Sequence, residues 1–507
     1  MGRSSLPAAK GKSILSLVLC SCAVPMLMLA VLDNHALPRD FRGWLAVISA
    51  MDAGENPYQA TPFLNWPPYW MIALRVLSWV SASLSCPLMA LFQLLMFVTG
   101  LAVVVASFKL TCLVARDAAT ARKTVLWGLG ANPLWWLLVL YSGNFDVFLA
   151  LWHVLAITSL VAFVKRGRFS DWLSAAMWIG IGIFTKTVSF VLLPLLLLGK
   201  RSLDARRTAM AAWMLIAPTL LPLAVLMSFD PMAINQKVVN YHSVSGWFGM
   251  TGWLAMLVSP TFAERIYPGL FLLILMAVSM HLARRMALLS RRSFKPRRSG
   301  ASSLATLERD HLAALVIRSA ALVLLLLPTL GSGFGTHYLL WSWPLLVVVA
   351  GTGQPGDRAV FLLLVGVATT TVGYAYISNP AFGPVGFRFM EGAEPTIWLR
   401  TGSGKQFETL ISTPLFLALL LMLGRLGFSR KTYGVFTWPH SSAPRRADIH
   451  RVVGALASPG LQDQTALARP SESRLGDVGA RTVSRQKKGK PLHEIRRDQS
   501  RRLRRSH

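Results

Sequence analysis

Apolar runs, many near the roughly twenty residues that cross about 30 Å of hydrocarbon, recur along the first 425 positions of this 507-residue chain. Repetition of that kind leaves few options, because one water-soluble core could not absorb so many runs. The chain is 53% hydrophobic and only 15% charged, where a soluble domain carries about 25% charged residues. No period-two alternation suggests a barrel. The expected fold is therefore an all-α polytopic membrane protein.

Charge sets the sidedness. The formal net charge is +30, but its distribution argues against nucleic acid as a partner. Residues 425–507 hold 19 Lys/Arg against 6 Asp/Glu, so +13 lies in one polar tail. Most other cations fall in short loops: Lys109 to Lys123, Lys165 to Arg168, Lys200 to Arg207 and Arg284 to Arg309. Short basic loops mark the cytoplasmic side. With all of them inside, twelve spans are expected, near 14–32, 87–108, 124–142, 147–164, 172–185, 187–199, 209–228, 266–283, 312–330, 338–353, 359–377 and 408–424. Residues 1–13 and both termini are then cytoplasmic. The tail 425–507 is expected to be disordered, with affinity for anionic lipid. Cys20, Cys22, Cys86 and Cys112 show neither metal spacing nor a disulfide framework. "LCSC" loosely resembles a lipoprotein cleavage site, but the apolar run continues past it, which favours an uncleaved span.

One apolar segment must stay out of the count. "WPPYWMIALRVLSWVSASL", 66–84, contains Arg75, a Pro pair and three tryptophans, and tryptophan favours the membrane interface. As an interfacial or re-entrant helix it makes 33–86 one large outer loop, with further outer loops at 229–265 and 378–407. Early in the first, Asp40 precedes Phe41, Trp44, Ile48 and Met51 at helical spacing, the pattern of an amphipathic helix lying in the interface. Asn56-Pro57-Tyr58 ends it. Spans 172–185 and 187–199 look too short to cross alone; they meet near Lys186 and suggest a cavity on the outer side.

Candidate chemistry lies in these outer stretches. Asp40, between Arg39 and Arg42, reads either as a helix N-cap or as a base at the membrane rim, and one residue could serve both purposes. Asp146 closes "YSGNFD" and is either a polar reversal or a site acid. Lys186 either snorkels or faces the cavity. His337 and Tyr338 follow a Gly-rich reversal in "GSGFGTHYLLWSWP", where a lone His is either structural or a ligand contact. There is no DxD, P-loop, HExxH or G-x-S-x-G motif, so ATP-driven transport and common hydrolytic chemistry lose support. No metal or cofactor is expected.

The order of these motifs carries a resemblance. An outer-loop Asp, "GENPY", an aromatic before Pro-Pro, "NPLWWLLVLYSGNFD", "GIGIFTKTVSFVLLPLLLL", "YHSVSGWFG" and "GFGTHYLLWSWPLL" follow one another over roughly 10–425. The layout resembles the GT-C superfamily of integral membrane glycosyltransferases, and is most similar to bacterial polyprenol-phosphate-mannose-dependent mannosyltransferases (glycosyltransferase family 87-like). The resemblance implies a GT-C-like bundle over 14–424 in a bacterial plasma membrane. It implies transfer of a hexose, mannose favoured, from a polyprenyl-phosphate donor to a glycolipid or glycan hydroxyl on the outer face, with inversion. Asp40 takes the general-base position. Asp146 matches the second-loop acid of part of the superfamily; standing alone, it makes a metal site doubtful. Lys186 and His337 match donor-side positions. Arg39, Arg42, Tyr58, Trp66, His242 and Tyr338 complete the expected substrate contacts, and Trp66 stands where Tyr is commoner. The competing classes are a lipid or solute transporter or flippase, and an inactive membrane scaffold.

Overall fold

A computed structural model describes residues 6–31, 39–61, 64, 66–115, 117–141, 145–199, 204–227, 230–239, 248–293, 302–331, 336–352, 357–378 and 402–428. These are overwhelmingly helical, and none is in a strand. Among the described residues, five helical stretches are long and apolar enough to cross a membrane: Leu88–Val114, Asp146–Arg166, Phe262–Leu289, Glu308–Leu330 and Thr409–Phe428. The expected tail and the loop 378–407 lie essentially outside the described residues.

The first half runs through α1 (Leu6–Val31), α2 (Arg39–Asp52), α3 (Pro57–Ala60), α4 (Tyr69–Leu84), α5 (Leu88–Val114), α6 (Ala118–Val125), α7 (Pro133–Trp136), α8 (Asp146–Arg166) and α9 (Phe169–Thr185). A 3-10 helix, Thr187–Leu198, follows. Then come α10 (Ala205–Met227), α11 (Pro231–Ile234), α12 (Gly249–Leu257), α13 (Tyr267–Ser293), α14 (Ser302–Leu330), a second 3-10 helix (Thr336–Trp341), α15 (Trp343–Ala350), α16 (Asp357–Ser378) and α17 (Gly402–Phe428). All twelve expected apolar segments fall on helical structure, but several are interrupted.

α14 is the central helix, its apolar window almost wholly buried, whereas α13 is mostly uncovered. Leu272, Leu273, Met276 and Met280 of α13, Leu362 and Val365 of α16, and Leu15 and Leu19 of α1 are large apolar side chains left exposed. Such faces suit hydrocarbon rather than water. α8 and α9 form an antiparallel hairpin at the core. Gly167, at φ 70°, makes its turn, a left-handed C-terminal position that glycine takes without steric cost.

The expected span 124–142 is a broken helix. A wide turn covers Leu126–Gly130, the chain breaks at Ala131, and α7 restarts at Pro133 under an Asn132 cap, with Leu134 N donating to Asn132 Oδ1 at 3.0 Å. Proline cannot donate to the preceding turn and clashes with it. The carbonyls this releases find side-chain donors: Gly128 O accepts from Trp343 Nε1 at 3.0 Å, and Gly130 O from Trp136 Nε1 at 2.7 Å. Inside an apolar bundle such substitution is needed, because no water is available to satisfy them. The expected span 338–353 is likewise two pieces, divided at Ser342.

Segment 187–199 is short only if wound as an α-helix. At the 3-10 rise of about 2.0 Å per residue its twelve residues reach about 24 Å, against about 18 Å at the α-helical rise.

The apolar face of α2 does not meet lipid as its pattern suggested. Phe41, Trp44 and Ile48 are buried, and the first two pack on Phe92 of α5, with ring centroids 5.7 and 4.7 Å away. Trp44 also meets Trp70 of α4 at 5.2 Å. A one-sided apolar helix can dock on protein as readily as on a membrane, and here α4 and α5 offer the surface.

The bundle has two chemically distinct ends. At one, Lys165 closes α8 by donating to Leu113 O of α5 and pairing with Asp310 of α14 at 2.9 Å. Arg309 donates to Lys165 O at 3.4 Å. Basic segments that are distant in sequence therefore share an end. The opposite end holds the starts of α5 and α8 and the C-terminus of α9.

Candidate functional site

The site lies at that second end, where Asp146 opens α8 and Lys186 follows the last residue of α9. Helix dipoles favour a carboxylate at the first position and a cation at the second, so the antiparallel hairpin brings together two charges that each terminus already prefers. Lys186 Nζ lies 3.1 Å from Asp146 Oδ1 and 3.3 Å from Oδ2. Asp146 is fully buried, while the Lys186 side chain keeps 15% of its surface and His337 23%. His337 Nε2 stands 3.6 Å from Asp146 Oδ2, an ion pair when the ring is protonated.

Three rings surround the ammonium: Tyr338 at 4.7 Å, Trp341 at 5.0 Å and Phe145 at 5.5 Å from its nitrogen. Within about 6 Å each face attracts a cation. The 3-10 winding of Thr336–Trp341 explains two of them. Side chains three residues apart eclipse in a 3-10 helix, so Tyr338 and Trp341 stack with centroids 4.4 Å apart and form one wall.

The first outer segment reaches this group through Phe145. Trp70 stacks on it at 5.1 Å and Trp66 meets it edge-on at 5.1 Å. A further tie joins residues 56–61 to α11. Asp230 caps α11 through Ala233 N at 2.9 Å, accepts from Asn56 Nδ2 at 3.0 Å, and also accepts from Gln59 Nε2. Lys237 donates to Thr61 O at 3.2 Å.

Of the expected residues, Asp146, Lys186, His337 and Tyr338 come together, with Trp66 one ring away. Tyr58 does not offer a face for stacking. It is buried, and its hydroxyl donates to Trp66 O at 2.9 Å; burial holds its phenol well above the usual tyrosine range. It supports Trp66 instead. The backbone of α2 begins at Arg39, which sets Asp40 in its first turn, but the side chains of Arg39, Asp40 and Arg42 lie outside the described residues, as does His242 entirely. Phe41 and Trp44, one turn further on, link α2 through Trp70 to Phe145.

Among the described residues, the buried ionisable groups not singled out in the sequence include His153 in α8 and Arg318 in α14, each 1% exposed, and Arg285 in α13, 6% exposed. Their signal was available, since an ionisable side chain inside an apolar run is costly and tends to have a use. Among the described residues no group of three or more His, Cys, Asp or Glu is arranged to hold a metal.

No protein-family model matches the sequence, and no curated protein matches it.

Proposed function

We propose that the chain is an inverting membrane glycosyltransferase of GT-C type, with twelve spans and both termini cytoplasmic, in a bacterial plasma membrane. It moves a hexose, mannose favoured, from a polyprenyl-phosphate donor to a glycolipid or glycan hydroxyl on the outer face. One observation carries the reading: Asp146, Lys186 and His337, from three separate segments, meet at the bundle end opposite the basic loops. Lys186 has three N–H groups and gives its bonds to Asp146, which aims the ammonium while a donor remains for a phosphate oxygen. His337, the more exposed of the two, supplies a second. Cationic donors aimed at a departing lipid phosphate lower the barrier as charge develops there, and Arg42 could add a bidentate grip. Phosphate leaves without a proton, so one base suffices where a glycosidase that expels an alcohol needs two carboxylates. Asp40 is that base, taking the acceptor hydroxyl proton as the oxygen attacks the sugar.

The test is transfer from labelled polyprenyl-phosphate mannose in liposomes. Asp40→Asn should lower turnover by about 10²-fold or more, and near-normal transfer by the folded variant would remove Asp40 from the mechanism. A buried carboxylate–ammonium pair is also what a coupled transporter uses. Substrate flux across the liposome without any sugar product would favour that second reading.

A further inference from the structure

We propose that His153 is the positioning residue of this site: one buried ring fixes both the segment carrying Lys186 and the segment carrying His337. The proposal rests on the site identified above, and not on the reaction assigned to it.

His153 lies seven residues after Asp146 on α8, two turns along and on the same face. Its Nε2 is 2.9 Å from Ser189 Oγ and its Nδ1 3.3 Å from Trp341 O. Ser189 sits in the 3-10 helix that begins directly after Lys186, and its N–H bonds back to Lys186 O at 3.4 Å. Trp341 ends the 3-10 helix that carries His337 and Tyr338, and its own ring faces the Lys186 ammonium. Lys186 and His337 are thus held, one step removed, by the same imidazole.

The bonding has one consistent direction. A carbonyl only accepts, so Nδ1 carries the proton, and Nε2 accepts from the Ser189 hydroxyl. Donation runs from Ser189 through His153 to Trp341, with both side chains of the relay essentially inaccessible. α9 leaves space for it. A Cβ at Gly182 would come within 2.7 Å of Ser189 Oγ, so the helix is bare where Ser189 turns toward the ring. Packing alone would be served by leucine at 153; a polar ring in an apolar helix is costly unless its bonds are satisfied. Here those bonds join the segments that bear Lys186 and His337.

The test reads Lys186 directly, by amine labelling of the full chain in nanodiscs, with mass spectrometry and the exposed Lys109 as internal reference. His153→Leu and Ser189→Ala should each raise relative Lys186 labelling about tenfold, the scale of one lost buried hydrogen bond. His153→Asn keeps a donor for Trp341 O and should recover part of the protection. Trp178→Leu, which removes the Trp152 stack at 5.4 Å, should lower the melting temperature and leave the labelling ratio unchanged. Wild-type labelling in folded His153→Leu or Ser189→Ala overturns the proposal, as does an equal rise in Trp178→Leu. Should His153→Leu not fold, Ser189→Ala decides. No sugar donor is present, so a chain that transfers nothing yet shows this dependence sinks the glycosyltransferase reading and leaves the positioning role standing.

Discussion

Asp146 and Lys186 form a pair in which neither charge has an inexpensive alternative. Asp146 is wholly buried, so Lys186→Met takes the nearer cation from a carboxylate in a low-dielectric pocket and leaves His337, at 3.6 Å, beside it. Breaking such a pair costs about 3–5 kcal/mol, and the partial exposure of Lys186 argues for the lower end. Adding Asp146→Asn removes the buried charge, so the double variant should fall short of the summed single losses by about 1–3 kcal/mol. Thermal unfolding in detergent measures this, and strict additivity would show that the pair is not coupled. Tyr58→Phe should cost about 1 kcal/mol in the same assay, by releasing Trp66 O. At the basic end, the backbone N–H and hydroxyl of Thr120 hold Asp117 below its ordinary value of 3.8. A depressed carboxylate stabilises the fold at pH above its unfolded value and loses that contribution as pH falls through the folded one. The Asp117→Ala melting temperature should therefore converge on the wild-type value in acid. Asp146, Lys186 and His337 stood out in the sequence because ionisable residues between apolar runs are scarce in so apolar a chain; that they meet was not legible, because it depends on how three distant segments pack. The burial of Tyr58 was not legible, because composition does not reveal which ring of an aromatic cluster is left uncovered; His153 was legible as an ionisable residue in an apolar run, but its two partners were not.

Element existence was easier to read than element winding. Hydrophobic length placed all twelve expected apolar segments on helical structure, since long apolar runs admit little else in a bilayer, but it did not mark the short α3, α11 and α12, which fall in stretches read as loops. Periodicity cannot separate 3-10 from α winding in a short run buried on all sides, so the reach of Thr187–Leu198 was not legible. Asn132-Pro133 was not legible as a break from proline alone, because Pro25, Pro328 and Pro414 sit inside α1, α14 and α17 without ending them; here Asn132 caps a new helix whose first residue is proline. The amphipathic pattern of α2 fixed which face is apolar, but not whether protein or lipid covers it. The 3-10 winding carries a consequence at Gly182. An added methyl would push on Ser189 Oγ, on a helix with little slack against α9. Gly182→Ala should destabilise by about 1–3 kcal/mol, the usual cost of overpacking, and raise Lys186 labelling in parallel. Destabilisation with unchanged labelling would mean that the strain relaxes elsewhere than toward the site.

At the largest scale, the described bundle divides its charge between two ends. Lys165, Arg309 and Asp310 gather at one; Asp146, Lys186 and His337 gather at the other. Positive loops are retained on the cytoplasmic side, so gathering the loop cations at one end predicts an orientation in which the candidate site faces outward. This can be tested without knowing any substrate. In a background with Cys20, Cys22, Cys86 and Cys112 replaced by serine, Glu55→Cys and Arg168→Cys introduce thiols at exposed positions near opposite ends. A membrane-impermeant maleimide should label Glu55→Cys in intact cells, and Arg168→Cys only after permeabilisation. Labelling of both from the same side would separate the two ends of α8 from the two faces of a membrane. An outward-facing site would then have no basis, because its orientation depends on the basic end staying inside.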